Sequence, residues 1–293
     1  MKVLIDPKFC QLFFMHNLSQ WHYSAISAFA EYWSSVPQKL TEAEVLAINR
    51  WRDLETNNPK SENIFIFEKY LSGRLPKNQQ LEITHCLFVL KKRFTFHFNK
   101  QLSNMRVIAD YLSRVPLKEV IKKTSAIYDC KIGILRIYLT LSRNANREAG
   151  GMLLGDKVIL QFGDFKLHGN NEEMLSILFH ELTHDCSVRK LLPSKIDFKL
   201  PSGFTGNVKD YIDEVVHQAL WGQLGVLSQE YFNLSDKEML KRKTKLIEQR
   251  LEPLKSLVED SYHIGRIIKL EREKNPKWQI TKQNMLNLLK LVD

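Results

Sequence analysis

His180, Glu181 and His184 are the residues of this chain whose types and spacing are best suited to chemistry. In an α-helix four residues rise about 6 Å and complete slightly more than one turn, so His180 and His184 project from one face. Their imidazoles can then share a tetrahedral ion. Glu181 lies about 100° round the helix from His180, beside the pair, where a carboxylate is placed to take a proton from water. A zinc ion held by two imidazoles, a third protein ligand and water lowers the pKa of that water to about 7. The pattern H-E-x-x-H therefore predicts hydrolysis by activated water, with Glu181 as general base. The competing reading is a buried helix whose two histidines are hydrogen-bonded core residues.

This chemistry needs a helix under the motif. Asn170 followed three residues later by Glu173 is a variant of the capping box. Leu175, Leu178, Phe179 and Leu182 recur at helical spacing, and Pro193 marks a stop beyond Arg189 and Lys190. Ahead of the motif, Leu117 to Tyr128 reads as a helix and Ile132 to Leu141 as a strand. After a polar turn at Ser142 to Arg147, Gly150 to Leu154 and Val158 to Phe162 flank Gly155-Asp156-Lys157, a hairpin signal. Behind the motif, residues 191–207 are punctuated by Pro and Gly, which suits a loop over a cleft.

Val208 to Gly222 then predicts a second helix, carrying Asp210, Asp213, Glu214 and His217. Apolar residues occupy much of its circumference, so periodicity does not choose a third metal ligand among the four. Ser235 with Glu238 caps a helix to about Leu251, Pro253 starts another to about Leu270, and Thr281 to Leu291 has an amphipathic pattern. Residues 1–108 read as helical: Thr41 and Glu44 form a capping box, and Phe13, Phe14, Trp21, Tyr23, Phe29, Tyr32 and Trp33 suit a core. His85 and His97 suit packed or surface positions. The expected fold class is α+β, mainly α, with a small mixed β-sheet. It divides into a helical N-terminal region (1–108), an α+β subdomain with the motif helix (109–190) and a helical C-terminal lobe (191–293).

At 293 residues and 44% hydrophobic, the chain can bury a large core. Asp6 and Pro7 break the first apolar run before a signal-peptide core could form, and no run approaches a membrane-spanning length. Cys10, Cys86, Cys130 and Cys186 are far apart with no C-x-x-C, which suits free buried thiols in a reducing cytosol; Cys186 is a minor candidate for the metal. A cytoplasmic protein is expected, or one exported without a classical signal. The net charge of +10 admits nucleic acid, an anionic membrane or an acidic protein as partner. Lys241, Arg242, Lys243, Lys245 and Arg250, however, are interleaved with Glu238, Glu248 and Glu252, the pattern of a solvated helix face.

From Pro116 to Leu220 the order of elements resembles the zincin metallopeptidases, most nearly the gluzincin branch. His180, Glu181 and His184 match that motif residue for residue, whereas Ser187 and Lys190 stand where the metzincin branch needs Gly and His. The resemblance implies a zincin-like catalytic core in which Zn2+ is held by His180, His184 and a later-helix glutamate, here Glu214. The gap to Glu214 exceeds the usual pattern, and Asp210, Asp213 and His217 remain rivals. It further implies an oxyanion donor, for which Tyr211, Tyr262 and His263 are candidates, and a protein or peptide substrate held along the hairpin. The expected activity is that of a zinc metalloendopeptidase. Other readings are a different zinc amidohydrolase, a non-catalytic basic binding protein on the same fold, and a DNA-associated regulatory peptidase.

Overall fold

The computed structural model describes residues 2–19, 32–57, 65–133, 136–141, 150–167, 171–204 and 206–290. A four-stranded mixed sheet, among mainly helical surroundings, contains β1 (Lys2–Leu4), β2 (Arg136–Thr140), β3 (Gly151–Leu154) and β4 (Lys157–Gln161) in the order β1-β2-β4-β3. β1 and β4 both run parallel to β2, with Val3 opposite Ile137 and Ile137 opposite Val158; β3 is antiparallel to β4, with Met152 opposite Ile159. Gly155 turns the β3–β4 hairpin at φ 57°, a left-handed conformation that favours glycine. Ile137, Val158, Ile159 and Leu160 are fully buried, each burial stabilising the fold by about 1.5–3 kcal/mol.

The two halves of the sheet are covered by different helices. α1 (Pro7–Leu18) and α5 (Lys91–Arg114) pack on the β1–β2 side, where Phe9 stacks on Tyr138 with ring centroids 4.2 Å apart. α2 (Glu42–Thr56), α3 (Ile66–Leu71) and α4 (Lys77–Val89) complete that bundle. The buried Arg93 ties it together: its guanidinium grips both oxygens of Glu44 at 2.9 and 3.0 Å and donates to the carbonyls of Trp33, Val36, Gln38 and Lys39. His97 is buried against the Val36 carbonyl and His85 is exposed. The N-terminal region is therefore not separate from the sheet. It supplies β1, which pairs with β2, and position 108 falls inside α5.

On the hairpin side lies α7 (Glu172–Thr183), packed on β3 and β4; its Leu178, Phe179 and Leu182 are fully buried, Phe179 against the rings of Trp221 and Tyr231. α6 (Leu117–Tyr128) leads into β2. The C-terminal lobe comprises α8 (Val208–Trp221), α9 (Val226–Phe232), α10 (Asp236–Glu248), α11 (Leu254–Lys274) and α12 (Lys282–Leu289). α8 is its axis, packing on α7 and on α11. The capping boxes expected at Thr41 and Ser235 are formed, and Asn207 with Asp210 makes another at the start of α8. α7 instead starts from Asn171 in a left-handed conformation without a side-chain cap, while Asn170 and the turn at 142–147 lie outside the described residues. No described helix is long and apolar enough to cross a membrane.

The cysteines depart from the expectation of four free thiols. Cys130, just past α6, is disulfide-bonded to Cys186, just past the motif, with Cα atoms 6.0 Å apart. Packing of α6 against α7 brings together positions 56 residues apart. Cys186 is thus not available to a metal, and Cys10 and Cys86 are the buried free thiols.

Candidate metal centre

His180 lies in the last turn of α7 and His184 caps its C-terminus, so the helical spacing directs both rings toward α8. Their Nε2 atoms are 3.0 Å apart. From α8, the Glu214 carboxylate approaches His180 Nε2 to 3.4 Å with one oxygen and His184 Nε2 to 3.7 Å with the other. Donor atoms about 2.1 Å from a tetrahedral ion lie about 3.4 Å from one another. The three separations bracket that value, and two imidazoles plus one carboxylate form a donor set suited to zinc. The residues present therefore fit a divalent ion.

The charges are arranged accordingly. Burial opposes a charge on His180, but Glu214, with Glu181 beside it, outweighs that effect and raises its pKa to about 9. Burial likewise pushes Glu214 up, yet His180, His184 and His217 hold it well below the usual carboxylate range. His184 and His217 are both lowered, first by burial and then by the neighbouring imidazoles, and so are neutral.

The rivals to Glu214 have other tasks. Asp210 belongs to the α8 cap and pairs with Arg189. Asp213 accepts from the Val188 amide at 2.7 Å, Ser187 Oγ at 3.0 Å and Arg189 Nε at 2.9 Å, fastening the chain beyond the motif to α8. His217, fully buried, lies behind His184: its Nε2 is 3.0 Å from the Cys186 carbonyl and its Nδ1 is 3.0 Å from His184 Nδ1. A carbonyl oxygen only accepts, so His217 carries its proton on Nε2 and accepts on Nδ1. The proton between the rings then belongs to His184 Nδ1. This leaves the lone pair of His184 Nε2 facing His180 and Glu214, the tautomer a metal ligand needs.

Glu181 is buried on the wall of a cavity of about 310 Å³ that also exposes His180, Glu214 and the Gly150-Gly151 pair. Its carboxylate is 3.9 Å from His184 Nε2. The three expected oxyanion donors are not brought here. Tyr211 faces the other side of α8 and donates to Asp260 at 2.6 Å; α8 must bury an apolar flank against α11, and Tyr211 lies on it. Tyr262 packs under Lys243, whose Nζ is 4.9 Å from its ring centroid, and neither it nor His263 lines the cavity. Their neighbour Ser261 does.

Two residues of the site were not anticipated. Gln218 donates to Glu214 Oε1 at 3.0 Å and orients it; the i, i+4 spacing on a helix was a readable signal. Gly151 abuts Glu181, and a glycine opening a strand signals a close approach without saying of what. No family model, curated protein or solved structure matches the chain.

Proposed function

We propose that this protein is a zinc-dependent metallopeptidase of gluzincin type that cleaves protein or peptide chains internally. The observation that carries the reading is the convergence of His180, His184 and Glu214 at ligand spacing, with Glu181 beside them on a cavity wall. Zinc held by those three residues would supply Lewis acidity and a water acidic enough to lose its proton near neutral pH. Glu181 takes that proton and delivers it to the leaving amine.

β3 suits an extended substrate. It is the end strand of the sheet order, and the Gln161 amide donates to the Gly150 carbonyl at 2.8 Å. In an antiparallel pair the inward and outward groups alternate, so the amides and carbonyls of Gly151 and Leu153 point to the open edge. A peptide adding there as a strand would run past Glu181 and the metal ligands. A catalytic zinc keeps one position open, and His180 and Glu214 of the set line a cavity together with Glu181. The Cys130–Cys186 bond is of a kind that persists in oxidising compartments, which favours export over the cytosol. The basic residues of α10 give nucleic acid little support: Arg242 pairs with Glu172 and Lys243 covers Tyr262.

The test is zinc content and cleavage of fluorescein-labelled casein. The protein should carry about one zinc, His180→Ala or His184→Ala should remove it, and Glu181→Gln should keep it while abolishing cleavage. Full activity in Glu181→Gln would falsify the general-base role.

A further inference from the structure

We propose that Gly151 is the positioning residue for Glu181: its missing side chain makes the space in which the carboxylate stands between the β3 edge and the metal ligands. This rests on the reading of Glu181 as the general base.

A β-carbon at Gly151 would meet Cγ of Glu181 first and lie 2.8 Å from both its Cδ and Oε1, closer than real β-carbons come to heavy atoms. Backbone conformation does not demand glycine there, because the positive-φ glycines of the described chain are Gly73, Gly155 and Gly203. Gly155 makes the contrast: its φ is 57° and no atom lies within 4 Å of the β-carbon it lacks. At Gly151 the constraint is proximity alone. The helix that carries Glu181 is anchored by the buried Leu178, Phe179 and Leu182, so relief of the clash turns the side chain into the neighbouring cavity, away from that position. Gly151 also turns its own amide and carbonyl to the open edge. One residue thereby sets both where an extended backbone docks and where the base stands, and so fixes the distance between them.

The first test needs neither zinc nor substrate. In the metal-free protein Gly151→Ala should lower Tm by about 4 °C with Glu181 present and by no more than about 1 °C in the Glu181→Ala background, where the clash is gone. Equal shifts in both backgrounds overturn the contact. The second test is cleavage of fluorescein-labelled casein by the zinc-loaded protein. Gly151→Ala should bind zinc within about threefold of the unsubstituted protein, because His180, His184 and Glu214 are untouched, and should lose about 10- to 100-fold in kcat with little change in KM. Glu181→Asp, a methylene shorter, should be impaired alone but should restore at least about tenfold when combined with Gly151→Ala. Unchanged kcat in Gly151→Ala, or no rescue in the double variant, overturns the positioning role. Failure of the general-base reading shows separately, as retained cleavage in Glu181→Gln.

Discussion

His217 offers the sharpest test of how the metal centre is built. His217→Phe keeps a planar ring of similar size in a fully buried position but removes the acceptor for His184 Nδ1 and the donor to the Cys186 carbonyl. Two buried polar groups lose their partners, at a cost of about 1–3 kcal/mol each, so the metal-free protein should lose about 2–6 kcal/mol of stability. His184 is also released from the tautomer that presents Nε2. Groups that orient a ligand in this way are worth about 10- to 100-fold in metal affinity, about 1.4–2.7 kcal/mol. Zinc affinity would be measured by competition with a chromophoric chelator, beside a thermal melt showing that the variant is folded. The expected order of loss is Glu214→Ala greatest, His217→Phe intermediate and Asp213→Ala least. His217→Gln, whose amide both donates and accepts, should recover part of the loss. An unchanged affinity in His217→Phe refutes the backing role, and a loss matching Glu214→Ala makes His217 a ligand.

Zinc binding should depend on pH with a definite sign. His180 carries a proton in the metal-free protein below about 9, so zinc must displace it, and affinity should rise about tenfold per unit between pH 6 and 8 before levelling above about 9. Calorimetry in buffers of different ionisation enthalpy counts the released proton; a flat profile over pH 6–8 contradicts the His180–Glu214 pair. In the N-terminal bundle, Arg93→Met leaves Glu44 without its guanidinium and should cost about 3–5 kcal/mol in denaturant unfolding, partly recovered by adding Glu44→Gln. A loss below about 1 kcal/mol would show that apolar packing, and not Arg93, holds those segments.

Local signals carried much of this architecture into the sequence. The capping residues at Thr41 and Ser235 act within a turn of chain, so those helix starts were legible, whereas the motif helix ends at Thr183, well before the stop expected at Pro193, and holds the motif at its C-terminal end. The His180-Glu181-His184 constellation was legible for the same reason. Glu214 was not separable from Asp213 on pattern alone, because the choice depends on the rotation of α8 against α7, a tertiary quantity. Tyr211 failed as an oxyanion donor through that same rotation, which turns it toward Asp260. β1 was hidden because a three-residue strand has too little pattern to read, and its pairing partner lies more than a hundred residues away. The Cys130–Cys186 pair had no signal at all, since spacing fixes no connectivity.

That cross-link divides the candidate site in an unequal way. The covalent loop from Cys130 to Cys186 encircles β2, the hairpin and α7, and with them His180, Glu181, His184 and Gly151. Closing a loop of 56 residues removes about 4 kcal/mol of chain entropy from the unfolded ensemble in the loop-closure model. Glu214 and His217 lie outside the loop on α8 and reach the others only by non-covalent docking. His180, Glu181 and His184 thus lie inside the cross-linked loop, and the Glu214 carboxylate that faces them comes from outside it. If zinc binds as proposed, its retention reports on the docking of α8 against α7, because its ligands come from both helices.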